Sequence, residues 1–211
     1  MTTTDAGRRT SWRATAWHVV RLEVGMYVSL ARWAARRPSL GAPGSQVHGY
    51  ARLVTPMLWL FVFASAVEVV VLDLLLPWMV VRVVALVLGI WGVVWMLGMI
   101  ASYRVFPHLL EPDRLRVRCG ALVDVVLPWS AIASVGSGDT SLESSMRTMQ
   151  VDDLDDGTRL SVGVGGRVNV QLTLREPVTV STPRGSLVVT RVSLWADDPR
   201  DLVRDVRARL R

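Results

Sequence analysis

Two apolar runs, residues 54–76 and 83–103, are separated only by Pro77 to Arg82. Each has about the twenty residues that a helix needs to cross a bilayer. So short a link, holding a proline and a tryptophan, predicts a tight turn with Trp78 at a lipid–water boundary. Two helices joined this way make a transmembrane hairpin over 54–103, and the chain before and after it must emerge on one side.

Charge chooses that side. Residues 1–53 hold eight arginines against Asp5 and Glu23, whereas 104–211 hold fifteen arginines against fourteen acids. The net charge of +6 is therefore an N-terminal property. By the positive-inside rule both termini are expected in the cytoplasm, with the chain multi-pass in the cytoplasmic (inner or plasma) membrane. Arg104, at the end of the second run, agrees. No signal-peptide pattern precedes the first long apolar run, which opens only near residue 53. A hydrophobic share of 51% and a mean hydropathy of +0.35 fit a chain mixing membrane and aqueous parts.

Residue types exclude several chemistries. The chain has no lysine, so Schiff-base catalysis and a lysine-bearing P-loop are out. A lone Cys119 permits neither an intrachain disulfide nor a cysteine zinc site. His18, His48 and His108 lie too far apart to resemble a metal motif. No Ser/His/Asp set or paired carboxylate in a plausible cleft emerges. The expectation is a protein that is not an enzyme and carries no cofactor. Its expected partners are lipids of the anionic leaflet and a membrane protein or second copy, not nucleic acid.

Residues 1–11 read as a disordered N-terminus. Residues 12–37 read as an amphipathic helix, with His18, Arg21, Gly25, Ser29, Arg32 and Arg36 along one stripe and a wide apolar arc around it. That pattern suits a helix in the headgroup layer, where each arginine contributes on the order of 1 kcal/mol near an anionic leaflet. The alternative is a helix packed on the rest of the protein with a solvated arginine edge. Residues 38–53, opening "PSLGAPGSQVHGY", read as a linker.

From 104 to 211 the period changes. "RLRVRC" alternates strictly, with Arg114, Arg116 and Arg118 one way and Leu115, Val117 and Cys119 the other, as in a half-buried strand. "ALVDVVLPW" follows a Cys119–Gly120 turn, and Asp156–Gly157 marks a hairpin between "MRTMQV" and "TRLSVGV". "RVNVQLTL", "VTVST" and "SLVVTRVSLW" supply further strands. The chain closes in a helix that Asp198 can cap, with Pro199 in its first turn and Leu202, Val203, Val206 and Leu210 on its buried face. Seven or eight antiparallel strands and one helix describe a curled sheet, a barrel or sandwich. The expected fold class is thus an α+β membrane protein.

"RLRVRCGALVDVVLPWSAIASV" together with "ADDPRDLVRDVRARL" resembles the bacterial pleckstrin-homology-like domains attached to paired transmembrane helices. "NVQLTLREPVTV" is similar to a segment of uncharacterised membrane proteins from high-GC bacteria. The resemblance covers about half the chain and implies a binding or assembly module, a scaffold or adaptor, without naming a ligand. One departure bears on inositide binding: the basic first loop of eukaryotic relatives is reduced here to Cys119–Gly120–Ala121.

The remaining candidates are local. In "DDLDDG" Leu154 stands where a calcium loop needs its third-position ligand, so an exposed turn is expected. "GVGG" at 163–166 precedes a strand rather than a helix and reads as a hairpin link, not a phosphate cradle. Arg114, Arg116 and Arg118 either meet anionic headgroups or are partnered by the domain's own acids. Asp73 and Arg82 fall at equal depth on the two helices and suit an ion pair that sets the hairpin's register. Glu68 has no such mirror partner. It lies about 4–5 Å from the middle of its span at about 1.5 Å per residue, where a carboxylate is a functional-site hypothesis by default. Ala85, Gly89 and Gly92 form a small-residue stripe on the second run that allows close helix approach, to a partner or within the hairpin itself. Beside the scaffold stands an alternative, an accessory subunit of a transport or envelope-stress complex using Glu68 at a helix interface.

Overall fold

A computed structural model describes residue 20 and residues 23–143, 148–183 and 185–211. The disordered reading of 1–11, most of the first half of the helix 12–37, and Arg21 lie outside the described residues. The first described helix, α1, covers 23–34 and ends in a turn with Arg36 at φ 53°. The hairpin follows as α2, Thr55–Leu75, and α3, Met79–Val105.

Local chemistry fixes these bounds. Pro56 sits in the first turn of α2, where its missing N–H is not needed. Leu76 is extended, at ψ 115°, because the ring of Pro77 disfavours helical backbone in the residue before it. The link is therefore Leu76 to Trp78, shorter than the six residues expected, and Arg82 already lies in the first turn of α3. Both helices are long and apolar enough to cross a membrane, and little of their most apolar stretches is buried, 6% for α2 and 11% for α3.

α3 is the central helix. A Cβ on its Gly89 would run into Val69 of α2, while one on its Gly98 would fall 3.1 Å from the Met26 backbone of α1. Nine residues are about two and a half helical turns, so α2 and α1 pack on opposite sides of α3.

Among the described residues, nine strands make two sheets. β1 (Gln46–His48), β2 (His108–Leu110), β3 (Arg114–Cys119) and β4 (Val123–Pro128) pair in that order, all antiparallel. The second sheet runs β5 (Ile132–Ser141), β8 (Arg167–Thr182), β9 (Gly185–Leu194), β7 (Gly157–Val162), β6 (Met149–Leu154). The sheets stay separate and face each other as a sandwich rather than closing into a barrel. Leu115, Val117, Val123, Val125 and Leu127 of the first meet Leu160, Val162, Val170, Leu172, Val192 and Leu194 of the second in one core. The last helix, α4 (Pro199–Arg209), adds Leu202, Val203 and Val206 to it and packs on β5 and β8.

Four readings are corrected. The linker expected over 38–53 contains β1, paired antiparallel with β2. One ladder, β7 with β9, is parallel. "RVNVQLTL" and "VTVST" are one strand, β8, interrupted only by a register shift opposite β9 between Thr173 and Val178. Asp198 makes no side-chain cap to α4. Its oxygens instead accept from Nη1 of Arg52, at 3.1 and 3.0 Å, and so hold the start of α4 near the start of α2.

Candidate functional site

The ionisable groups of the hairpin part into two kinds. Arg82 Nε lies 3.5 Å from Asp73 Oδ1, both side chains half-exposed beside the exposed Trp78. Glu68 is exposed on α2 and has no hydrogen-bond or ion-pair partner among the described residues. Val62, Ser65 and Val69 turn toward α3, with Val69 against Gly89 and Ser65 Oγ 4.0 Å from Met96 Sδ. At about 100° per residue, Glu68 stands a quarter-turn round from Val69, on the hairpin's flank. Phe61, Ala64 and Val71 lie exposed on the same side. Of the stripe Ala85, Gly89, Gly92, it is Gly89 that faces α2 and serves the hairpin's own packing. A Cβ on Gly92 would meet nothing within 4 Å.

α1 docks through the smallest residues of its polar stripe. Ser29 is fully buried, donating to Gly25 O at 2.5 Å, and Gly25 lies against Ala121 of the β3–β4 turn. Trp91 Nε1 of α3 donates to Tyr27 Oη (2.7 Å), which donates to Glu23 (2.9 Å). Arg32 stacks on the Phe106 ring at 5.8 Å, and Arg36 is exposed in the turn. Val20, Val24 and Val28 are left exposed. The described part of α1 is thus packed along α3.

The three β3 arginines meet the domain's own carboxylates. Arg114 pairs with Asp113 and lies 3.5 Å from Glu111; Arg116 pairs with Asp124 and lies 3.6 Å from Glu111. Arg118 is only 4% exposed. Its Nη1 donates to Ser39 O at 3.1 Å and its Nε lies 3.5 Å from Asp124. Burial holds its guanidinium below its usual range, with Asp124 opposing. The strict alternation of "RLRVRC" therefore does not leave three free cations.

Sequence reasoning missed the polar groups that join hairpin to sandwich. Tyr50 is fully buried; its hydroxyl accepts from Gly120 N (2.7 Å) and donates to Phe106 O (2.9 Å). Ser102, near the end of α3, accepts from Ala121 N at 2.9 Å. His108 Nδ1 accepts from Arg118 N at 3.0 Å, so its proton sits on Nε2 and is donated to Trp195 O at 2.9 Å. Desolvation pushes this imidazole down to about 4 and the neighbouring Cys119 thiol up to about 12. Each of these side chains closes a backbone bond left open where helix meets sheet. The sequence signal was slight, a single polar aromatic side chain at each junction, Tyr50 after Gly49 and His108 after Pro107.

A pocket of about 570 Å³ opens beside this junction, lined among others by Tyr50, Arg52, Tyr103, Arg104, Pro107 and Asp197. The two loops tested for ligands are turns. Asp155 and Asp156 form a two-residue link with Gly157 at φ 132°, and Asp156 pairs with Arg191. "GVGG" closes on itself through Val164 and Arg167, each N–H donating to the other's carbonyl at 3.1 and 3.2 Å. No family model, curated protein or solved structure matches the chain.

Proposed function

We infer that the chain is an integral membrane protein that works by association rather than by chemistry. Its hairpin docks another transmembrane segment, a partner's or a second copy's, and its pleckstrin-homology-like sandwich is carried on the cytoplasmic face as an adaptor. What supports membrane insertion is the exposed apolar surface of α2 and α3, far larger than a soluble monomer leaves uncovered.

One observation carries the docking role: Glu68, exposed without a partner on an otherwise apolar helix face. A carboxylate on a lipid-facing surface is costly, and a polar partner on a neighbouring helix relieves that cost. The β3 arginines argue against the strand as the main lipid contact, since their charges are met within the domain. The test is purification of the full chain from its own membranes in mild detergent, with Glu68→Gln beside it. The variant is expected to lose a stoichiometric partner or to shift to a smaller oligomer. If its size and co-purifying proteins match those of the parent, the docking role is wrong.

A further inference from the structure

The junction pocket has a chemistry that the docking role does not use. It lies where α2 begins and α3 ends: Arg52 is three residues before α2, and Arg104 is the next-to-last residue of α3. With the hairpin in a bilayer, as inferred above, this level is the headgroup layer of the leaflet next to the sandwich. The two signs of charge meet there. Arg104 has no carboxylate partner among the described residues; its guanidinium lies 5.9 Å from the Trp33 ring centroid. Arg52 uses Nη1 on Asp198, and its side chain, in the pocket lining, is 74% exposed. Asp197 accepts the Arg52 backbone N–H at 2.9 Å, with the Ala51 backbone N–H as a second donor, and burial holds its carboxyl above the usual range. The remaining wall is apolar, with Pro38, Leu40 and Pro107 among it.

We propose that this pocket binds the headgroup of an amine-bearing phospholipid, phosphate on Arg104 and Arg52, primary ammonium on Asp197. Guanidinium groups suit a phosphodiester because their donors match two of its oxygens at once. A carboxylate within the same pocket disfavours a purely anionic headgroup and gives an ammonium its counter-charge. A primary ammonium also donates hydrogen bonds, which a trimethylated one does not. The apolar wall accommodates the glycerol and the first methylenes, and the pocket is large enough for a headgroup.

The test places the full chain in nanodiscs of three compositions, adding phosphatidylethanolamine, phosphatidylcholine or phosphatidylglycerol to a constant background. Lipid retained after transfer to detergent is then measured by native mass spectrometry. Phosphatidylethanolamine is expected to be retained preferentially, at one per chain. Arg104→Gln should weaken that retention on the order of tenfold, as expected for one lost charge-assisted contact. Arg104→Lys should restore part of it. Asp197→Asn keeps an acceptor for the Arg52 N–H and should abolish the preference for phosphatidylethanolamine while sparing phosphate binding. Equal retention of the three lipids, or retention unchanged in Arg104→Gln, overturns the proposal. Binding of free phosphoethanolamine by detergent-washed protein, with no retained lipid, overturns it in favour of a soluble ligand. Failure of the membrane reading looks different: the chain would leave its native membranes in alkaline carbonate, before any nanodisc is made.

Discussion

Glu68 on α2 and Glu111 between β2 and β3 are the same side chain in apolar surroundings, treated in opposite ways. Glu111 is 6% exposed and has Arg114 Nε at 3.5 Å and Arg116 Nη1 at 3.6 Å. Its backbone is used as fully: its N–H donates to Arg114 O, and its carbonyl accepts from Trp129 Nε1 at 3.0 Å. Glu68 has none of this. Folding gives the buried Glu111 its counter-charges and gives the exposed Glu68 none among the described residues. The carboxylate of Glu111 is met within its own domain; that of Glu68 is met only by the partner segment proposed above.

The contrast can be broken from either side. The largest effect is expected at Arg118, whose buried side chain fills the space between β3 and Ser39 while its exposed partner Asp124 keeps Arg116. Arg118→Ala should destabilise the sandwich by about 3 kcal/mol, as for a large buried side chain cut back to alanine, and leave association through α2 unchanged; denaturant unfolding in detergent beside a size measurement reads both. Acid should act similarly on the sandwich alone. His108 has its pKa lowered to about 4 in the fold from an ordinary 6.5, so the unfolded chain binds the proton more readily. Its contribution is complete above pH 6.5 and is lost as pH falls toward 4, up to about 3 kcal/mol in all. His48 is lowered too, by desolvation against the pull of Asp205, and works in the same direction. Unfolding midpoints between pH 7 and 5 should therefore fall less steeply in His108→Gln than in the parent. Equal slopes would remove His108 from the account.

Glu68→Gln should do the converse, leaving sandwich unfolding alone and weakening helix association by about 1 kcal/mol, the scale of one interhelical polar contact. Reversible crosslinking at graded protein-to-lipid ratios measures it. Asp73→Asn should be the mildest change. The Asp73–Arg82 pair is some 40% exposed on each side, and such pairs contribute less than about 1 kcal/mol. A loss of hairpin formation in Asp73→Asn would mean that the ion pair, not the helix packing, sets the register.

Much of this contrast was legible in the sequence and some of it was not, for identifiable reasons. α2, α3 and the Asp156–Gly157 hairpin come from long periodic runs or strong turn chemistry, which are local. β1 and β2 are three residues each and are paired across an intervening hairpin, so neither shows a period of its own. Arg118 obeys the alternation of its strand but is covered at that end by the chain around Ser39, which no strand pattern encodes. Gly25 and Ser29 read as polar because of where they fall in a stripe of arginines. They act as small residues, letting α1 approach α3 and the β3–β4 turn closely. Glu68 stood out in the sequence by its place alone, whereas its position on the hairpin's flank had to await the packing of α2 on α3.

α3 does not stop where its apolar run would leave a bilayer. Its 27 residues span about 40 Å at 1.5 Å per residue, against a hydrocarbon thickness of about 30 Å. The surplus, Gly98 to Val105, is largely buried among α1 and the sandwich. Ser102 bonds to the β3–β4 turn and Val105 to Ser39. A helix clamped at one end and free to tilt at the other is a lever. In the membrane reading proposed above, a tilt of the hairpin would therefore carry the sandwich with it as one body.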